Sequence, residues 1–310
     1  MTAAADIVTL DPPAGRSAPL ARTRPFYWSV RRELWEHHSI WIAPLVAAGV
    51  ILAGFMVAEF NPQGIHLNMS SGHGGHVQRT QMPVWAPYAI ATVAIMLSAF
   101  VAAVFYCLGA LQNERRDRSI LFWKSLPVSD RTAVLAKAFI PFVVVPLVVL
   151  AVLAVTQLIM IGTASALTMA RGGDVQALWT AVPMLRLSVV MVYGLTILTL
   201  WHAPLWGWLL AVSAWSKRTA FLWAFGPPIA LSVFERIAHG TSYLSKLFGD
   251  RMIGGWGEGF TVHRGQMALT DISDIDVGKF VSNPEMWGGL VVGAGLIAAA
   301  VWLRRRREPI

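Results

Sequence analysis

The sequence predicts an all-α integral membrane protein, with six transmembrane helices preceded by a short helix lying in the interface. Three observations predict it. Apolar residues make up 55% of the 310 residues and charged residues only 14%, against about 25% charged in soluble domains. The apolar residues gather into runs near the ~20 residues that a hydrocarbon core of about 30 Å requires. The lysines and arginines concentrate between alternate runs, as they do where those loops face the cytoplasm.

Residues 1–23 are rich in Ala, Pro and polar side chains. They carry no apolar core behind an N-terminal charge, so they read as a disordered cytoplasmic tail and not as a signal peptide. Over 24–38 the pattern turns amphipathic. Phe26, Val30 and Leu34 recur at four-residue spacing, while Arg31, Arg32, Glu33 and Glu36 fall mostly elsewhere. That is the signature of an interfacial helix.

The first span is predicted over 39–60, with Pro44 tolerable in the first turn. A polar, Gly-rich loop follows, then a second span over 88–111. The third, 133–161, is longer than a bilayer needs and should tilt, kink at Pro141 or Pro146, or project into the cytoplasm. Residues 162–186 read as a loop, and 187–215 as another over-long span carrying Pro204. The fifth, 220–237, is interrupted by Gly226, Pro227 and Pro228. A mixed segment, 238–285, leads to the last span at 286–303 and a basic tail at 304–310.

With the N-terminus inside, 17 of the 25 lysines and arginines fall on the cytoplasmic side. That count decides for the fifth span. If 220–237 did not cross, Arg304, Arg305, Arg306 and Arg307 would lie outside. Both termini are therefore expected in the cytoplasm.

The stretch 113–137 between the second and third spans is basic and aromatic at once. Arg115, Arg116, Arg118, Lys124, Arg131 and Lys137 surround Ile120, Leu121, Phe122 and Trp123. On a helix, Ile120, Trp123 and Lys124 share a face, with Leu121 and Ser125 beside it. Pro127 stops that helix, and Ser129 or Asp130 can cap the next. The predicted product is a short interfacial helix able to hold a partner protein.

This stretch resembles the first cytoplasmic loop of bacterial type-2 ABC transporter permeases. The resemblance rests on Glu114, Arg115, Asp117, Ser119, Ile120, Phe122, Trp123, Lys124, Ser125, Leu126, Pro127, Val128, Ser129 and Asp130. The run from Arg32 through Glu33, Leu34, Trp35, Glu36, His37 and His38 is similar to the elbow helix before the first span of those permeases. The resemblance implies a coupling helix that docks on a separate ATP-hydrolysing subunit. Phe122, Trp123, Leu126 and Pro127 would form the docking knob, with Ser119 and Ser125 among them, and Glu114, Arg115, Arg116 and Asp117 would be orienting charges. It also implies pairing with a second copy or a sister permease, ATP and magnesium held by the partner, export rather than import, and a bacterial cytoplasmic membrane. In that family the segment after the fifth span dips into the membrane from outside.

The chain has no G-x-x-x-x-G-K-[ST] loop and no soluble stretch long enough for an ATPase domain. No Ser–His–Asp, Cys–His or paired-carboxylate arrangement suggests catalysis. The formal charge of +8 does not indicate nucleic acid, because the cations flank apolar spans. Cys107, the single cysteine, excludes an intrachain disulfide and reads as a packed apolar side chain.

His66, His73 and His76 lie in the Gly-rich loop, with Met69 and Met82 as further potential ligands. Their spacing fits no standard zinc motif, and the simplest reading is a loop without an ion. His202 sits inside the fourth span, where an imidazole bonded to a neighbouring helix is the plainest reading. Asp271, Asp274 and Asp276 read as a solvated external loop. The leading expectation is the permease subunit of an ATP-driven transporter that does no bond chemistry itself. The competing one is a non-transporting scaffold or a metal-handling accessory that uses the His66/His73/His76 loop.

Overall fold

The structure, a computed structural model, describes residues 25–60, 84–117, 128–261 and 272–306. Expectations for residues 1–23 and 307–310, for His66, His73 and His76, for Ser119, Phe122, Trp123, Ser125, Leu126 and Pro127, and for Asp271 lie outside the described residues, while Arg304, Arg305 and Arg306 of the predicted tail belong to the last helix. Among the described residues regular structure is helical, apart from one antiparallel bridge between Phe260 and Ile275. Five helices are long and apolar enough to cross a membrane: Ser39–Phe60, Ala86–Arg116, Asp130–Ala170, Val175–Trp201 and Pro284–Arg306. By the length and composition of these helices the chain is a multi-pass membrane protein.

Helix α1 (Pro25–Glu36) leads almost directly into α2 (Ser39–Phe60). The second run forms α3 (Ala86–Ala110) and a short continuation, α4 (Gln112–Arg116). Helix α5 (Asp130–Phe139) starts where expected, and the cap is Ser129, whose Oγ accepts the Thr132 N–H at 3.1 Å. It passes through a π-turn at Ile140–Val144 into α6 (Val145–Ala170). Pro141 lies in that turn. A residue without an N–H breaks the i→i−4 ladder, and a wider turn absorbs the mismatch without ending the helix.

Three expectations are corrected downstream. The stretch 162–186 is not a loop. Helix α6 continues through Gly162 to Ala170, and α7 (Val175–Ala181) follows. A single glycine costs a helix only about 1 kcal/mol, and the residues after it are mostly small or apolar. The run 187–215 is two helices, α8 (Met184–Trp201) and α9 (Ala203–Trp215), which meet at His202. Pro204 sits in the first turn of α9, where its missing N–H is harmless.

The third correction concerns α10 (Ala220–His239), which runs unbroken through Pro227 and Pro228. Pro228 leaves the Ala224 carbonyl without its helical donor. The Trp208 indole N–H of α9 supplies one at 3.0 Å, which compensates for the bond that Pro228 cannot make. Helix α10 is not among the five long apolar helices. Within 238–285 the chain forms α11 (Tyr243–Ile253) and α12 (Val277–Ser282), and α13 (Pro284–Arg306) closes the bundle. Asp274 is buried, not solvated, at 1% exposure, while Asp276 caps α12 through the Lys279 N–H.

Helix α9 lies along α13, α3 packs on α2, α6 and α9, and α1 packs on α5. Side chains of α3, α6 and α9 meet in the main core, among them Ile95, Val149 and Leu209. Many outward-facing side chains are also apolar, such as Val93, Leu97 and Phe105 on α3. That surface suits hydrocarbon and not water.

Candidate functional site

One end of the bundle gathers the charges that the sequence scattered. Glu33, Glu114, Lys137 and Arg304 are all nearly buried, at 1%, 7%, 1% and 5% exposure. The Lys137 ammonium lies 2.7 Å from Glu33 Oε1 and 3.1 Å from Glu114 Oε1. Arg32 Nη2 reaches the same two carboxylate oxygens, each at 2.7 Å. The Tyr106 hydroxyl donates to Glu33 Oε2 at 3.0 Å. Arg304 uses Nη1 on Glu114 Oε2 and Nε on Asp130 Oδ1, the latter at 3.1 Å.

Three carboxylates (Glu33, Glu114 and Asp130) therefore face three cations (Arg32, Lys137 and Arg304). Glu36 adds a fourth, more exposed carboxylate on Arg32, and burial is tolerable because each buried charge has partners. The cluster draws on α1, α4, α5, α13 and the Tyr106 turn of α3.

A second set of bonds sits beside it. Ser213 Oγ, on α9, accepts the Leu111 and Gln112 N–H groups, each at 3.0 Å, and donates to the Leu108 carbonyl at 2.7 Å. It thereby satisfies the backbone at the joint between α3 and α4. Arg115 Nη2 donates to the carbonyls of Ser213 and Ser216, the last turn of α9, where a cation suits the helix C-terminus.

The expected orienting charges thus divide. Glu114 and Arg115 turn inward and bond the chain's own helices. Arg116 and Asp117 point outward, with side chains 72% and 64% exposed. Of the elbow residues, Arg32 and Glu33 join the cluster, and Glu36 pairs with Arg32 at 3.3 Å. Trp35 is exposed beneath the Arg31 guanidinium, 4.6 Å from the ring centre.

Sequence reasoning missed the buried roles of Glu33, Lys137, Tyr106, Ser213 and Arg304. Lys137 falls inside the predicted third span, 133–161, yet was counted only among the basic residues of 113–137. Arg304 was counted only as one of four arginines that set orientation. Helical geometry lets one of them face the bundle, while Arg305 and Arg306 are exposed.

Arg304 links the two sides of the segment 118–127, because Glu114 precedes it and Asp130 follows it. Both flanks of that segment are therefore fixed to α13, and through Glu114 and Lys137 to α1.

For Glu33, burial pushes the carboxyl up, but the Lys137 ammonium, its hydrogen bond and the Arg32 guanidinium outweigh that. The net displacement is below the ordinary carboxylate range. A lowered native value contributes stability that is complete above the unfolded value and lost as pH falls through the native one. The melting temperature of the purified chain in detergent should hold level from neutral pH to about 5 and drop below about pH 4. Glu33→Gln should blunt that drop, and an identical acid limb in the variant would remove Glu33 as its cause.

Two clefts lie farther along the bundle. One, of about 750 Å³, is lined by Tyr88, Thr92, Phe100, Gln157, His202 and Trp206 among others. His202 is buried there at 6% exposure, with Nδ1 at 2.6 Å from the Leu198 carbonyl and Nε2 at 3.3 Å from that of Met252. The Leu198 contact stays on α8, while the Met252 contact reaches α11, the neighbouring helix that the sequence reading asked for. The other cleft, of about 830 Å³, lies between α9, α10, α11 and α13. Among the described residues no group of three or more His, Cys, Asp or Glu side chains is placed to hold a metal. Set against family models, curated proteins and solved structures, the chain matches none of them.

Proposed function

We propose that this chain is the membrane-spanning subunit of an ATP-driven transporter, an exporter, whose ATPase is a separate polypeptide docked on residues 114–130. The observation that carries the reading is the Arg304 clamp. A loop that receives force from a partner needs both flanks held by rigid elements, or the force is lost in the loop. Here Glu114 and Asp130 are both held by Arg304, and the same ion network holds α1. Movement of the loop would be passed to the first and last helices together, and re-packing of helices is how such bundles change state.

In this reading α1 is the elbow helix and α10 the sixth crossing. Supporting that count, α9 and α13 both end near the charge cluster, so the chain between them has to return across the bundle. The basic end faces the cytoplasm by the count of lysines and arginines. A second copy or a sister permease completes the pathway, and ATP and magnesium belong to the partner.

The test is the double variant Phe122→Ala, Trp123→Ala, reconstituted with an ABC-type ATPase that co-purifies with the unaltered chain from native membranes. We expect the permease to stay folded, the ATPase to co-purify poorly, and substrate-stimulated ATP hydrolysis to be lost. Full retention of both binding and stimulation would remove the loop from the mechanism.

A further inference from the structure

The cleft of about 830 Å³ is walled by apolar side chains, including Leu205, Trp208, Phe225 and Val292. Three charged residues, Arg236, Arg251 and Glu285, stand along it. The Arg251 guanidinium lies 4.1 Å from the centre of the Trp201 ring. It donates to the main-chain carbonyls of Trp201 at 3.3 Å and Glu285 at 2.7 Å. It also rests over Gly289, where an added Cβ would meet Nη1 at 2.8 Å.

Neither arginine forms an ion pair among the described residues. Glu235, next to Arg236, keeps its charge but is turned to the start of α11, accepting from Thr241 Oγ1 and from the N–H groups of Tyr243 and Leu244, and does not line the cleft. Of the charged residues that line the cleft, two are cations and one, Glu285, is an anion; Glu258, which also attracts Arg251, stands outside the lining, so the wall itself carries a positive surplus beside an apolar groove. Helix α13 rises about 30 Å between Glu285 and Arg304, and about the same distance separates the two headgroup layers of a bilayer. If the basic cluster sits at one headgroup level, this arginine pair sits at the other.

We propose that this cleft holds an acyl chain of an anionic phospholipid, with the phosphate bound by Arg236 and Arg251. The apolar wall accepts the chain, and guanidinium groups donate to phosphate oxygens in a planar fork. A zwitterionic lipid brings its own cation and does not relieve the surplus. The proposal does not depend on the chain being a transporter.

Native mass spectrometry of the full chain, equilibrated with phosphatidylglycerol and phosphatidylcholine of matched acyl length, tests it. We expect retention of phosphatidylglycerol over phosphatidylcholine by about tenfold or more, the worth of a charge-assisted hydrogen bond. The pair Arg236→Gln, Arg251→Gln should bring the two lipids to parity. A second variant separates lipid binding from folding. A Cβ added at Gly288 meets nothing within 4 Å, and Gly288 lines the cleft. Gly288→Phe should fill the groove and abolish retention while both arginines remain. Equal retention of both lipids by the unaltered chain would overturn the proposal. So would unchanged selectivity in both variants, or a dimer without bound lipid that Gly288→Phe dissociates, which would put a second copy in the cleft.

Discussion

Lys137→Ala is expected to destabilise the chain by about 3–5 kcal/mol, the usual cost of removing one partner from a buried ion pair. The Lys137 ammonium touches two carboxylates, Glu33 and Glu114, that are 1% and 7% exposed. Truncation leaves Glu33 with Arg32 and Tyr106, and Glu114 with Arg32 and Arg304. Water cannot replace the missing charge without opening α1 from α5. The loss should therefore exceed that of any surface cation, such as Arg305, where about 0–1 kcal/mol is the norm. Thermal unfolding in detergent measures it. The companion variant Lys137→Met, Glu33→Gln should recover much of the loss, because it removes the unpaired charge along with its partner. A single Lys137→Ala variant that melts with the unaltered chain would show that the cluster is dispensable to the fold.

Gly293→Leu is expected to cost about 3 kcal/mol or more, at the upper end of overpacking effects. Here the clash is with backbone. An added Cβ at Gly293 would stand 2.8 Å from the Ala203 carbonyl oxygen, and one at Gly207 would stand 2.7 Å from the Gly293 oxygen. Helices α9 and α13 touch main chain to main chain at this crossing, so no rotamer change can relieve the contact. The helices must separate, and Arg304 would be drawn away from Glu114 at the far end of α13. Gly295→Leu is the control, since a Cβ there meets nothing within 4 Å. Equal melting temperatures for the two variants would refute the close crossing.

The helical membrane class was legible from composition and run length, which depend on the residues alone. The N-cap was legible to one of two residues, Ser129 or Asp130, since capping is a local interaction between a side-chain oxygen and an N–H two or three positions on, and the structure selects Ser129. The continuity of α10 through Pro227 and Pro228 was not legible. The bond that Pro228 cannot make is compensated by Trp208 of a different helix, which reaches the Ala224 carbonyl. The break at His202 was missed because 187–215 is mostly apolar, and hydropathy is blind to where one helix ends and the next begins inside such a run.

At the candidate site, the sequence alone placed the basic residues at one end of the bundle and marked the stretch around Glu114 as special. It read Glu114 and Arg115 as orienting charges for a partner; in the structure both side chains also bond the chain's own helices. The reason is distance along the chain. Glu33 and Lys137 lie 104 positions apart, and Glu114 and Arg304 lie 190 apart. Charge, polarity and span length belong to the residues wherever they go. Which charge meets which is set by how far each helix is rotated about its axis when it packs, and only the assembled bundle decides that.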